Sequence, residues 1–436
     1  MSDLSAMASG ELAGVMIMKE LIGFELKKTI RRPVVIGVFI AMLVIDLLLI
    51  FLGTFPSEPT RSISYSREEV IQLRQEQSAF AGAIDDIWTQ RIKDMKNGIL
   101  NNPANQVNEA ERKRITEELL AQGLSRAAIN SPDNIVRFIR EDVLHSRELQ
   151  RLEDPEVASN FYKYVDQVGK ETAKYYRETY AGPKGEALAS KAEEMYGYLS
   201  NEYEAYYDYD WGWSRLHAMQ TVLPFTIGLL LIVALAPIFS YEYSKTTDSL
   251  LLSAKYGKSK LVKAKIIVGF SLAIFSWLLM QFINIAIVFC FFGIAGSKSF
   301  VQNWVMNKSP YAFTYLTSYL AVTAISFVGL LFLTSMLLLI SSRSKTPFKS
   351  LIIGAVIVLL PTVRPDIFAS RVVQKILMFL PTDILIGVHH FKTFEAFYLF
   401  GKVIMLPSAG MVVAGILSTL MVIGAYFSFR QHQVEN

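Results

Sequence analysis

The chain has 436 residues, 52% hydrophobic and 19% charged, with a formal net charge of +4. Average soluble chains carry about 25% charged residues; here the apolar residues also gather into long charge-free runs, which excludes an ordinary soluble enzyme or a disordered chain. The basic excess lies beside those runs, where the positive-inside rule acts, so no nucleic-acid partner is implied.

In chain order, Glu11–Arg32 is amphipathic, with Lys19, Lys27, Lys28 and Arg31 set against Leu12, Val15, Ile22 and Leu26. Val34–Leu52 follows, apolar except for Asp46. A bilayer-crossing helix needs about 20 apolar residues, so residues 34–54 are expected to be a retained span, not a cleaved leader. A carboxylate inside a span costs about 2.5–3.5 kcal/mol on insertion scales and seldom faces lipid. Asp46 is therefore either hydrogen-bonded to a neighbouring span or a pore candidate.

Residues 55–217 hold 21 Lys and Arg against 28 Asp and Glu, whereas the rest of the chain is strongly basic. This stretch reads as a domain of about five helices. Ser66-Arg67-Glu68-Glu69 opens a helical period through Val70, Leu73, Phe80, Ile84, Ile87, Ile92 and Met95, ended by Asn97-Gly98. Asn108 starts a second helix, Ser131-Pro132 a third, and helical patterns resume from Pro155 and after Gly182-Pro183. Eleven tyrosines fall between residues 161 and 213, with Trp211 and Trp213 just before the next apolar run. They form an interfacial aromatic belt with helix packing, or a contact surface for an amphipathic substrate with Tyr203, Tyr206, Tyr207, Trp211 and Trp213 as candidates.

Further apolar runs cover Thr221–Ser240, Ile266–Phe292, Tyr311–Ile340, the weaker Leu351–Leu360, and Val403–Phe429. Lys and Arg flank the first run on its N-terminal side and follow the second, fourth and last. Six spans with both termini cytoplasmic satisfy that distribution and place residues 55–217 outside. The expected fold class is all-α: a polytopic membrane protein bathed in lipid, with six transmembrane helices and a helical extracytoplasmic domain. The one cysteine, Cys290, lies in the third span, so that domain has no disulfide to rely on.

Enzyme motifs are lacking. Gly257-Lys258-Ser259 resembles the end of a phosphate-binding loop, but Leu252 stands where the first glycine belongs. His389 and His390 are adjacent and do not share a helix face, so no metal site is expected. No paired acids or histidines at helical spacing lie in the spans, which argues against an intramembrane protease; no catalytic residue is assigned. The informative segment is Ser240–Lys265. It reads as a short helix with a threonine cap, Asp248 in its first turn and Leu250, Leu251 and Leu252 as an apolar surface, followed by a basic return to the membrane. Such a helix is a docking element; the plainer reading is a basic loop held by anionic lipid.

This segment resembles the coupling-helix region of ABC-2-type transporter permeases, the membrane subunits of ATP-driven exporters. Glu242, Thr246 or Thr247, Leu251-Leu252, Lys260-Leu261 and Lys265 occupy the positions of the family's pattern. The usual glycine before the threonine is replaced by Lys245 or Thr246, and the usual turn proline by Tyr256-Gly257. Residues 1–33 are similar to the family's interfacial N-terminal helix, and residues 362–402 to its outer half-helices between spans five and six. The resemblance implies a bacterial plasma-membrane permease with domains at 1–33, 34–54, 55–217 and 218–436, and a cytoplasmic coupling loop at 241–265. It implies two copies of a cytoplasmic ABC ATPase, which bind ATP and Mg, and a second permease subunit, identical or paralogous. The cargo would be a peptide, an antimicrobial or another amphipathic molecule. The competing reading is a non-transporting receptor or immunity scaffold that uses its exterior domain to bind a ligand.

Overall fold

A computed structural model of the chain describes residues 2–52, 66–129, 131–247, 253, 256–303, 306–360 and 371–431. It opens with α1 (Ser2–Ile30) and, after Arg31-Arg32, α2 (Pro33–Leu52), the first span. Pro33 stands at the start of α2, where a missing N–H costs nothing.

An inserted domain follows. α3 (Arg67–Ser78) starts with a capping box in which Ser66 and Glu69 bond each other's backbone N–H. α4 (Asp86–Leu100) starts with Asp85 accepting from the Trp88 N–H at 2.7 Å. The single long helix expected from Ser66 to Asn97 is therefore two. The chain breaks at Phe80–Asp85 because β1 (Gly82–Ala83) leaves the helical path to pair antiparallel with β2 (Tyr206–Tyr207), and the Ile84 N–H donates to the Ala205 carbonyl. Ile87, expected on the buried face, is 81% exposed as a result. α5 (Glu109–Ala121) begins at the expected Asn108 cap. The helix expected from Ser131 is instead a 3₁₀ stretch, Pro132–Phe138, and a single turn, Glu141–Leu144.

The centre of the domain is α6 (Arg147–Ser159), α7 (Phe161–Thr179) and α8 (Pro183–Asn201), with Phe161, Val165, Tyr176, Leu188, Ala192 and Tyr196 among its buried core. Gly169 lets α7 and α8 meet: a Cβ there would sit 2.6 Å from that of Tyr196. The same core takes in Phe300, Phe394 and Ala396, so the domain is seated on the segments that join the spans.

α9 (Trp211–Leu235) continues through Ala236 into α10 (Pro237–Ser244) as one apolar span of 34 residues. A wide turn at Gly257–Leu261 leads into α11 (Val262–Phe292), α12 (Tyr315–Arg343) follows, and α13 (Pro347–Leu359) is short. Among the described residues five helices are long and apolar enough to cross a membrane. The fifth expected span corresponds to α13, with 13 residues; residues 361–370 lie outside the described set. The second span is the most enclosed, 72% of its apolar window being buried, against 22% for α2.

Between α13 and the last span, the described part of the expected half-helix region holds α14 (Arg371–Leu377), α15 (Pro381–Ile386) and α16 (Val388–Lys392). It then departs from helix: β3 (Ala396–Leu399) and β4 (Lys402–Met405) form a hairpin turned by Phe400 and Gly401, both at positive φ. α15 packs directly on α12, where a Cβ on Gly329 would lie 2.3 Å from the Leu385 nitrogen. α17 (Leu406–Arg430) is the last span.

Candidate functional site

The buried face of α1 is set by Ile22, Glu25, Leu26 and Thr29, the spacing of one helix face. Ile22 and Leu26 join the core between the spans, while Glu25 is 3% exposed. A carboxylate carried into an apolar seam needs a cation. Lys265, near the start of α11 and 0% exposed, supplies it: its Nζ donates to Glu25 Oε2 at 3.0 Å, to Glu242 Oε1 at 3.0 Å and to the Ile238 carbonyl at 2.9 Å. Lys28 approaches Glu242 Oε1 from the rim at 2.6 Å. Two carboxylates and two ammonium groups from α1, α10 and α11 thus form one buried ion network. Arg32 adjoins it, its guanidinium held below its ordinary value by burial although Glu25 and Glu242 pull the other way.

The segment bearing Glu242 is fixed on its remaining sides. Ser341 Oγ at the end of α12 donates to the Ala236 carbonyl at 2.7 Å and accepts from the Phe239 N–H at 3.1 Å. Tyr243 donates to the Ser342 carbonyl at 3.0 Å, and both Phe239 and Tyr243 pack on Phe429 of α17. A displacement of α10 is therefore felt by α1, α11, α12 and α17 together.

Thr247 completes the site. Its Oγ1 donates to Glu242 Oε2 at 3.0 Å and its N–H to the Glu242 carbonyl at 3.1 Å, which closes the end of α10. Thr246 takes φ +54°, the left-handed conformation that favours glycine. The two threonines are thereby distinguished: Thr246 takes the left-handed turn, and Thr247 is the threonine that engages the glutamate. Lys260 lies in the wide turn before α11, over the Tyr256 ring at 4.5 Å. Asp248, Leu250, Leu251 and Leu252 lie outside the described residues. Glu25 and Lys28 were not singled out as site residues; the signal was a glutamate on the apolar face of an amphipathic helix.

Asp46 sits elsewhere. It is 1% exposed and buried within its own subunit, where Thr226 of α9 donates to Oδ1 at a long 3.4 Å and Asn284 of α11 faces the same carboxylate. Its Oδ2 has no hydrogen-bond partner among the described residues. A polar column continues from there: Gln220 donates to Gln281, Tyr319 donates to the same amide oxygen, and His217 pairs with Ser318 at 3.0 Å.

The aromatic candidates join the inserted domain to the spans. Tyr207, Trp211 and Trp213 are buried, Tyr207 beside Trp88 and Trp213 donating to the Ile294 carbonyl at 3.0 Å. Tyr203 is half-buried, its hydroxyl donating to the Phe313 carbonyl and pushed up to about 12 by burial. Tyr206 is also half-buried, its carbonyl accepting from the Phe300 N–H. These rings do packing work in this conformation, and only Tyr203 and Tyr206 keep appreciable access. Cys290 is exposed on the third span, and no group of acids, histidines and cysteines able to hold a metal occurs among the described residues.

The bundle of long apolar helices, with an ion network clamping the end of the second, places the chain among polytopic membrane proteins. The sequence model of the ABC-2 family transporter proteins matches residues 20–431, and the chain belongs to that family. It is a permease component of an ABC transporter. Neither the curated proteins nor the solved structures give a match.

Proposed function

We propose that the chain is the membrane half of an ATP-driven exporter, and that the Glu242 network is where work done by a separate ATPase enters the spans. The observation that carries this reading is that Glu242 is bound at once to α1 and α11 while its own helix is fixed to α12 and α17. The segment immediately after it, 248–252, bears the leucines suited to a groove on a partner. Two such ATPases, each using ATP and Mg, would act on two permease subunits, identical or paralogous. The spans would then rearrange as rigid pieces. The assembly would sit in a bacterial plasma membrane, with both termini and loop 241–265 cytoplasmic and residues 55–217 outside. The cargo would be a peptide, an antimicrobial or another amphipathic molecule.

The test separates docking from transmission. A buried leucine at an interface contributes about 1.5–3 kcal/mol, so Leu251→Asp with Leu252→Asp is expected to abolish co-purification of the ATPase from mild detergent. Glu242→Gln is expected to keep the ATPase bound and lose transport. If the double variant leaves both complex and transport intact, the receptor reading replaces this one. Topology has its own check in a Cys290→Ser background: a cysteine at Ser78, but not one at Ser259, should react with an impermeant reagent on whole cells.

A further inference from the structure

The inserted domain contains a cavity of about 490 Å³ between α3, α6 and the first residue of α9. That volume is typical of small-molecule sites, which run from roughly 300 to 1,000 Å³. Its floor is buried and polar. Gln77, Asp154 and Trp211 are each less than a tenth exposed, and both Gln77 Nε2, at 3.0 Å, and Trp211 Nε1, at 3.5 Å, donate to Asp154 Oδ2. One wall is closed by the Arg147–Glu76 ion pair at 3.0 Å.

Two further lining groups carry charge: Arg151, which is half-buried, and Glu153, which is exposed at the rim. The Nε of Arg151 is buried and has no hydrogen-bond partner among the described residues. Glu153 has its carboxyl raised by burial and by the neighbouring Asp154 and Glu156, which marks a local excess of negative charge. A buried guanidinium nitrogen without an acceptor is costly, and a cavity that offers both an open cation and clustered carboxylates is complementary to a molecule carrying both charges. Arg pairs with a carboxylate through parallel hydrogen bonds, and an ammonium is attracted by carboxylates and by an indole face.

We propose that this cavity binds a short zwitterionic peptide, its carboxylate on Arg151 and its ammonium beside Glu153 and Asp154 over Trp211. The assignment rests on the reading of the chain as a transporter of amphipathic cargo and narrows that cargo to peptides with free termini. Because Trp211 begins the second span, an occupied cavity bears directly on the element that carries Glu242 near its other end.

The test is calorimetric titration of the purified full chain in detergent with trialanine, its N-acetyl form, its C-terminal amide and a soluble short-chain phosphatidylethanolamine. Trialanine should bind, and blocking either terminus should weaken it at least tenfold. Arg151→Gln should remove the preference for a free carboxylate and Glu153→Gln the preference for a free ammonium. No binding of trialanine, equal binding of the blocked forms, unchanged preferences in both variants, or binding of the phospholipid alone would each overturn the proposal. The peptide series on the unaltered chain decides the matter even if a variant fails to fold. Since the measurement needs no ATPase, peptide binding without peptide transport would count against the exporter reading and leave the cavity assignment standing.

Discussion

Two buried carboxylates, both brought into the spans, are treated in opposite ways. Glu242 is met by Lys265 and Lys28 and by the Thr247 hydroxyl, all at 3.0 Å or less. Asp46 meets a hydroxyl at 3.4 Å, and its second oxygen has no described partner. A charge that is fully paired from several helices fixes their relative positions, because removing one member strands the others. A carboxylate met only by neutral neighbours, Thr226 at a long 3.4 Å and Asn284, fixes less and stays available to something that comes and goes. The first arrangement suits transmission of force; the second suits a group that changes partners.

The comparison can be broken most forcefully at Lys265. Lys265→Met leaves Glu25 and Glu242 buried without their shared cation, and stranding a buried charge costs about 3–5 kcal/mol. The expected outcome is a large fall in thermal stability of the purified chain, read by fluorescence-detected size exclusion, or failure to accumulate in the membrane. Glu242→Gln should cost less, since the amide keeps part of the bonding; a charged hydrogen bond contributes about 1.5–3 kcal/mol. The melting point should drop modestly while transport by the assembled complex falls to background.

Asp46→Asn sharpens the contrast from the other side. Hydrogen bonds between membrane helices average about 0.6 kcal/mol, so stability should scarcely change, whereas transport should fall if Asp46 serves the pore. A melting-point loss as large as that of Lys265→Met would mean that Asp46 is a structural anchor and that the two sites are alike. The smallest effect is expected at Thr246, whose left-handed conformation costs a residue with a Cβ about 1–2 kcal/mol. Thr246→Gly should raise the melting point slightly and leave ATPase docking intact.

Much of this architecture was legible in the residues. Charge-free runs are read directly, because lipid imposes a minimum length and tolerates few charges, and five of the six expected spans are matched by long apolar helices, the weak fifth run by the short α13. The caps at Ser66 and Asn108 are local signals and were found. What failed depended on distant partners. Nothing near Gly82-Ala83 announces its pairing with Tyr206-Tyr207, and that pairing divides one expected helix into α3 and α4. The hairpin at 396–405 was absorbed into a helical expectation although Phe400-Gly401 carries a turn signal. At the site, Glu242 and Lys265 were visible through the family pattern. Glu25 was not, since its role exists only once α1 lies across α10 and α11. A carboxylate at the centre of an apolar stripe was the available clue.

The second span has a mechanical consequence. Trp211–Ser244 is 34 residues of nearly unbroken helix, about 51 Å at 1.5 Å per residue, against a hydrocarbon layer of about 30 Å. It therefore overhangs the membrane, with the floor of the peptide-sized cavity at one tip and Glu242 near the other. Pro224 and Pro237 each remove a backbone hydrogen bond along the way. Any bend in this long element is therefore cheapest at those two points, which set off the length between Pro224 and Pro237 from the two ends.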